Sequence, residues 1–156
     1  MQEQDLKKVA ERLSHYSEEQ LIEELGIRDR AIEADPALAG VADPDIAPQQ
    51  ITAMGPRETL QIIGHRVLKR WNVEAYRVIC GSQRGDVTSR GELRHALGLG
   101  DVAATAALTS GLLAIPGMPI ALAPVIAAIV IKRFGSPALE EVCKYWKENL
   151  PEGAEV

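Results

Sequence analysis

The stretch Asp101-VAATAALTSGLLAIPGMPIALAPVIAAIVI-Lys132-Arg133 decides how the rest of this chain must fold. Its thirty residues from Val102 to Ile131 carry no charged side chain. An acidic residue precedes the run and two basic residues follow it, which is the charge order that a helix dipole favours. Proline and glycine residues near its middle disfavour one continuous helix. We therefore predict two short apolar helices joined by a tip, Ile115–Pro119.

The length of this hairpin and the character of its tip favour different environments. Each arm has about 12–14 apolar residues, or about 18–21 Å of helix, whereas the hydrocarbon core of a bilayer is about 30 Å thick. This length favours burial inside a soluble domain. The tip lacks polar turn formers from Ile115 to Ile120, so it needs cover from the domain itself, another subunit or lipid. The alternatives of core, subunit interface and membrane insertion therefore stay open.

The apolar run resembles, in its composition, the hydrophobic helical hairpins of pore-forming colicins and the Ala/Gly-rich helices of circular bacteriocins. The resemblance covers only Val102–Ile131. It implies a hairpin of the kind that such proteins insert into membranes. Basic residues lie on both sides of the run, and a hairpin inserted from the cytoplasm would keep them on one side of the membrane. These basic flank candidates are Arg90, Arg94, Lys132 and Arg133.

The overall composition favours a helical fold. The chain has 156 residues, enough for one domain that buries about two-thirds of its unfolded surface. Only 4% of the residues are aromatic, so the core must be built from Leu, Ile, Val and Ala. This composition favours helices over strands. We predict an all-α, compact bundle of six to seven helices around a central apolar helical hairpin at 101–133.

The predicted organisation has three segments, of which the last contains the hairpin. Residues 1–34 form an acidic N-terminal helical pair, with a first helix at about 3–14. Residues 35–55 form a proline-rich linker or docked arm whose regular structure is limited to short turns. Residues 56–150 form the helical core, and all three segments are expected to belong to one domain.

Local signals predict where the helices outside the hairpin begin and end. Ser17 and Gln20 form a capping box for a second helix that Gly26 ends, and a short third helix is expected at 27–33. Pro56 begins a basic helix to Trp71. Further helices are predicted as follows: 73–80 after a cap at Asn72, with a strand as the alternative; 89–97 after a capping box of Ser89 and Glu92; and 137–150 after a cap at Ser136.

The cysteines and histidines offer little for catalysis. Two cysteines are too few for a disulfide framework, so Cys80 and Cys143 are predicted to be buried free thiols in a reducing cytoplasm. No spacing brings Cys80 together with His65 or His95 as a nucleophile and base. No cluster of metal-ligand spacing and no phosphate-binding loop is present. We expect no enzyme activity, no cofactor and no metal.

The charge distribution is uneven along the chain. Residues 1–50 carry five Lys/Arg against twelve Asp/Glu, whereas residues 57–95 carry eight against four. The basic side of the 56–71 helix could contact phosphate groups, but pairing with the acidic N-terminus is the simpler expectation. The net charge of −5 is not the basic balance of a typical nucleic-acid-binding domain. We therefore do not expect nucleic acid as a partner.

Two functions are compatible with these features. The first is a non-enzymatic helical interaction module that self-associates or docks another protein, with the hairpin as buried core or subunit interface. The second is a membrane-active protein, similar to a toxin or defence effector, that inserts residues 102–131 into a bilayer. The protein is expected in the cytoplasm, with membrane association under the second hypothesis. The candidates for interaction or insertion are Leu112, Leu113, Ile115, Met118 and Ile120.

Overall fold

A computed structural model describes residues 3–80, 95–96, 98–134 and 139–150, and all regular structure in these ranges is helical. The bounds are α1 Glu3–Ser14, α2 Glu18–Ala34, a 3-10 helix Pro36–Gly40, α3 Pro48–Ala53, α4 Arg57–Cys80, α5 Asp101–Leu112, α6 Ala123–Phe134 and α7 Leu139–Glu148. The prediction of a compact all-α bundle is confirmed. The first helix lies where the sequence predicts it, and Ser17 and Gln20 form the expected capping box at the start of α2.

The apolar hairpin lies at the centre of the bundle, as predicted. All nine residues from Ala123 to Ile131 on α6 are buried. This helix contacts α1, α2, α5 and α7, which place apolar side chains against it. A helix that is apolar on all sides needs such complete cover, because no face of it interacts favourably with water. The burial of α6 therefore organises the packing of the other helices.

The two arms of the hairpin are joined by a series of turns. Helix α5 ends at Leu112 and α6 begins at Ala123, so each arm has 12 residues. Gly117 has a φ of 83°, a left-handed conformation that glycine adopts without strain. Pro124 is the second residue of α6, in the first turn, where a missing N–H donor breaks no helical hydrogen bond.

Helices α2 and α4 cross in close backbone contact through two glycines. A Cβ atom on Gly26 would collide with the carbonyl oxygen of Leu60, and one on Gly64 would collide with that of Ile22. The prediction that Gly26 ends the second helix is therefore wrong, and the separate helix at 27–33 is the continuation of α2 to Ala34. Gly26 permits tertiary packing instead of providing a C-terminal cap.

Two further predictions of local structure are corrected. Helix α4 continues without a break from Arg57 to Cys80, so Asn72 is not a cap and the strand alternative is wrong. The side chain of Asn72 instead accepts a hydrogen bond of 2.6 Å from Trp146 Nε1. The proline-rich segment holds more structure than turns, because it contains the 3-10 helix and α3. Each of these short helices begins at a proline, which suits the first helical position.

Some predictions fall on residues that lie outside the described ranges. The capping box at Ser89 and Glu92 is among them, although residues 95–96 are helical. The predicted cap at Ser136 also lies outside. The helix that it precedes is present as α7, and its Trp146 is buried, with 1% of its surface exposed.

The prediction of free thiols is wrong. Cys80 and Cys143 form a disulfide, with their Cα atoms 5.6 Å apart, a separation within the usual range for such bridges. The bridge joins the last residue of α4 to α7 and leaves no free cysteine in the chain. Their spacing of 63 residues along the chain gave no local signal of this contact.

Candidate functional site at the hairpin tip and its covering arm

The five candidate residues at the hairpin tip are covered to different degrees. Leu112, Ile115 and Met118 are buried, with exposed fractions of 0%, 4% and 8%. Leu113 and Ile120 are partly exposed. Ala114, Pro116 and Gly117 form the exposed outer edge of the tip. In this conformation most of the apolar surface at the tip belongs to the core.

Residues 35–47, the first part of the proline-rich segment and called the arm below, are attached at the turn between the tip and α6. The backbone N–H of Ala121 donates a hydrogen bond of 3.1 Å to the carbonyl oxygen of Ala39, and the partly buried Ala42 packs against the core. Leu38 and Ile46 are partly buried, whereas Val41 is 41% exposed. The arm is therefore attached by polar bonds as well as by its apolar residues.

Arg28 connects the arm to the hairpin. Its side chain is completely buried, and its Nη1 donates hydrogen bonds to the carbonyl oxygens of Ala42 at 2.7 Å and Ala121 at 2.9 Å. Its Nε donates to Glu24 at 2.8 Å and its Nη2 to Asp43 at 2.9 Å. A buried guanidinium is tolerated only when its charge and its N–H donors find such partners.

Asp43 is shared between two arginines. Its carboxylate accepts hydrogen bonds from Arg28 and also from Arg12, whose Nε lies 3.1 Å from Oδ2. The hydrogen bond to Asp43 raises the pKa of Arg12, and burial opposes this rise. Arg12 also donates to the hydroxyl of Tyr16 at 2.6 Å. Asp43 is thus more than the turn former that its proline-rich surroundings suggest. We call Arg12, Glu24, Arg28 and Asp43 the polar knot.

An open cleft of about 420 Å³ lies beside the polar knot, between the arm and helices α1 to α3. Its apolar lining is Ile27, Pro44, Ile46 and Ile51. Its polar lining is Arg12, Tyr16, Glu24, Asp43 and Asp45. An apolar concavity with a few convergent polar groups is the usual form of a binding site. A second depression of about 530 Å³ lies between the end of α2 and α3. We favour the first, because the second lacks a comparable polar cluster.

The basic residues that flank the hairpin contact the start of the bundle. Lys132 Nζ donates a hydrogen bond of 3.0 Å to the carbonyl oxygen of Ser14, and Arg133 forms an ion pair of 3.2 Å with Glu18. Both basic residues are exposed. The other two flank candidates, Arg90 and Arg94, lie outside the described residues. The structure therefore brings Lys132 and Arg133 together with α1 and α2, away from the tip.

Helix α4 carries a basic face formed by Arg66, Lys69 and Arg70. All three are exposed, and no acidic residue occurs on this helix between Glu58 and Glu74. Ile62, one turn before this face, is 59% exposed. The Arg70 guanidinium lies 5.0 Å from the centre of the Trp71 ring. This basic face is exposed, and its Arg66 and Arg70 also lie near enough to Asp29 on α2 to lower the pKa of that carboxyl.

The residues considered for catalysis are not assembled. His65 and His95 are exposed, and Cys80 is bonded to Cys143, so it presents no thiol in this state. Within the described ranges, no group of three His, Cys, Asp or Glu side chains is placed to hold a metal ion. Of the helices described, none is both long and apolar enough to cross a membrane.

Comparison of this chain with protein-family models, with curated proteins and with solved structures gives no match. The proposals below therefore depend on the geometry of the chain itself. Sequence reasoning missed the polar knot and the cleft, because their residues come from α1, α2, α3 and the arm. The one local signal was that Arg28 follows three uncharged residues, Leu25-Gly26-Ile27.

Proposed function

We propose that this chain is a non-enzymatic helical interaction module that self-associates. The observation that carries the proposal is the cleft between the arm and helices α1 to α3. The polar knot fixes the arm that forms one wall of this cleft. The hairpin serves as the scaffold, because its buried helices α5 and α6 hold the turn to which the arm is attached. The acidic N-terminal helices and the arm supply the contact surface.

Charge complementarity supports a second copy of this chain as the occupant. Three acids and one arginine line the cleft. Glu24 and Asp43 are paired with arginines inside the polar knot, so Asp45 is the acid that the cleft offers to a partner. The basic face of α4 offers the opposite charge, and the exposed Ile62 beside it offers an apolar side chain that suits Ile46 and Ile51. Such complementarity steers association and sets its orientation. The two surfaces differ, so the contact is head-to-tail and forms a ring or an open chain.

The mass of the protein in solution tests this proposal. Light scattering without detergent, over a wide range of protein concentration and at low and high salt, should show an assembly that dissociates at high salt, because exposed charge pairs are screened. Asp45→Lys and Lys69→Glu should each weaken it, and the double variant should recover it. Glu148→Lys on the exposed side of α7 is the matched control. A monomer under all conditions would rule out self-association.

A membrane-active function is the second candidate, and the uninterrupted apolar stretch Ala123–Ile131 of α6 favours it. A helix apolar on all sides is suited either to a protein core or to lipid. Under this proposal the hairpin is masked by α1, α2 and the arm, and a trigger releases it, with Lys132 and Arg133 left at the headgroups. The proposed location is the cytoplasm, with membrane association under this second function.

Liposomes distinguish the two candidates. Under the membrane proposal, anionic vesicles bind the protein and leak, and Ala107→Glu on α5 abolishes leakage while the helical content stays unchanged. Ala53→Glu on the exposed side of α3 is the control and should leave leakage intact. If anionic vesicles neither bind the protein nor leak, the membrane proposal fails and the interaction proposal stands alone.

A further inference from the structure

The Cys80–Cys143 bridge encloses the whole apolar hairpin. Helix α4 ends at one cysteine, α7 carries the other, and α5, the tip and α6 lie between them along the chain. Both cysteines are partly exposed. A partly exposed disulfide is open to attack by an external thiolate, whereas a buried one is not.

Among the described side chains of helix α7, Trp146 is the one that is buried. The helix has 10 residues, too few for an isolated helix to be stable in water. Its main anchor is Trp146, which donates a hydrogen bond to Asn72, lies edge-on to Tyr76 at 5.8 Å and lies 6.3 Å from Phe134. The bridge is the covalent part of this attachment.

We propose that Cys80 and Cys143 form a redox modification site that controls the docking of α7. The substrate that reduces this bridge is a dithiol. One of its thiolates attacks a sulfur of the bridge, the S–S bond breaks, and a mixed disulfide forms. The second thiol of the reductant then attacks the mixed disulfide and displaces the protein's remaining cysteine as a thiolate. The protein gains two electrons and two protons as two thiols, and the reductant leaves as a disulfide.

Reduction has a defined structural consequence under this proposal. Without the bridge, α7 keeps the contacts of Trp146 but loses its covalent attachment to α4, and the helix undocks. Tyr76 and Phe134 then lose their cover, and an aromatic surface next to the end of α6 becomes exposed. Exposed apolar patches of this kind mark interaction sites. In a reducing cytoplasm the open form would be favoured, and in an oxidising environment the closed one.

Hydrogen exchange of the full chain with and without dithiothreitol tests the proposal. In the reduced protein, exchange in residues 139–148 should become about tenfold faster or more, because local opening determines the exchange of these amides. Exchange in α1, α2 and α6 should stay unchanged. Unchanged protection of α7 would overturn the proposal, and so would loss of protection throughout the bundle, because the bridge would then be a global staple.

Two variants provide independent measurements. In Trp71→Phe the one remaining tryptophan is Trp146, whose emission should shift to longer wavelength on reduction and return on reoxidation. In the same Trp71→Phe background, the double variant Cys80→Ser, Cys143→Ser should show the shifted emission with or without reductant. If its emission instead matches that of the oxidised protein, the bridge does not control docking. These measurements do not depend on self-association or membrane binding, so their failure is separate from that of the proposed function.

Discussion

The guanidinium of Arg28 donates a hydrogen bond of 2.9 Å to the carbonyl oxygen of Ala121, 93 residues away along the chain. This bond joins the middle of α2 to the turn that leads into α6. The same Nη1 also bonds Ala42 in the arm. One buried side chain thus fixes the arm and the hairpin tip relative to each other.

Replacing Arg28 by Met should therefore destabilise the protein and loosen the arm. The change leaves the carbonyl oxygens of Ala42 and Ala121 without this donor and removes a buried partner of Glu24 and Asp43. We expect the free energy of unfolding to fall by about 3 kcal/mol. Chemical denaturation measures the loss, and hydrogen exchange shows whether residue 121 loses protection.

A neighbouring arginine provides the control for this change. Arg30→Met removes an exposed pair with Glu33 at 3.6 Å, and its effect should stay within about 0.5 kcal/mol. Arg28→Lys should lose nearly as much stability as Arg28→Met, because an ammonium group cannot match the planar set of donors. Equal effects of the Arg28 and Arg30 variants would contradict the role given to the polar knot.

The close crossing of α2 and α4 predicts that replacing a helical glycine by alanine lowers the stability of this protein instead of raising it. Alanine normally stabilises a helix by about 1 kcal/mol relative to glycine. At Gly64 the added Cβ would collide with the backbone of Ile22, so Gly64→Ala should destabilise the protein by about 2 kcal/mol or more. Thermal unfolding followed by circular dichroism measures the change.

Gly40 is the matched position for this experiment. It ends the 3-10 helix, and a Cβ atom there would meet no atom within 4 Å. Gly40→Ala should therefore change the free energy of unfolding by less than about 0.5 kcal/mol. If Gly64→Ala stabilises the protein, the two helices do not approach as closely as the structure indicates.

The sequence was sufficient to predict the elements that depend on local signals or on composition. The uncharged run predicted the central hairpin, and the spacing of Ser17 and Gln20 predicted the cap of α2. The errors occurred where a tertiary contact decides the role of a residue. Gly26 resembles a helix end, but its missing side chain permits contact with α4. Asn72 resembles a cap, but it accepts a hydrogen bond from Trp146 on another helix.

The candidate site was less accessible to sequence reasoning than the fold. The cleft and the polar knot join residues from α1, α2, α3 and the arm, and no periodicity reports such a junction. Asp43 lies in an Asp-Pro step, which is typical of turns, so its ion pairs with Arg12 and Arg28 were not foreseen. The Cys80–Cys143 bridge was missed for the same reason, because its partners meet only in the folded chain.

Met118 at the hairpin tip offers a direct test of where the tip lies. Its side chain is 8% exposed, so Met118→Asp places a carboxylate in an apolar site without a partner. We expect a loss of about 3 kcal/mol or more in the free energy of unfolding. The exposed Ala114 is the control, and Ala114→Asp should be close to neutral. The reverse ranking would show that Met118 is not part of the core.

Asp29 on α2 gives the stability of the protein a predictable dependence on pH. Partial burial, and then the nearby Glu33, raise the pKa of Asp29, while Arg30, Arg70 and Arg66 lower it by a smaller amount. The folded protein therefore binds this proton more tightly than the unfolded chain. The stabilising contribution of the protonated form is complete below the unfolded pKa and is lost as the pH rises through the folded pKa.

Asp29→Asn should accordingly raise the free energy of unfolding at neutral pH, because the amide is buried without the cost of a charge. The gain should shrink as the pH falls and Asp29 of the parent protein becomes protonated. Denaturation of both proteins across the acidic range measures the difference. Glu33→Gln should move the carboxyl titration of Asp29, followed by NMR, to lower pH, because it removes a neighbouring negative charge. A titration unmoved by this change would show that burial alone raises the pKa of Asp29.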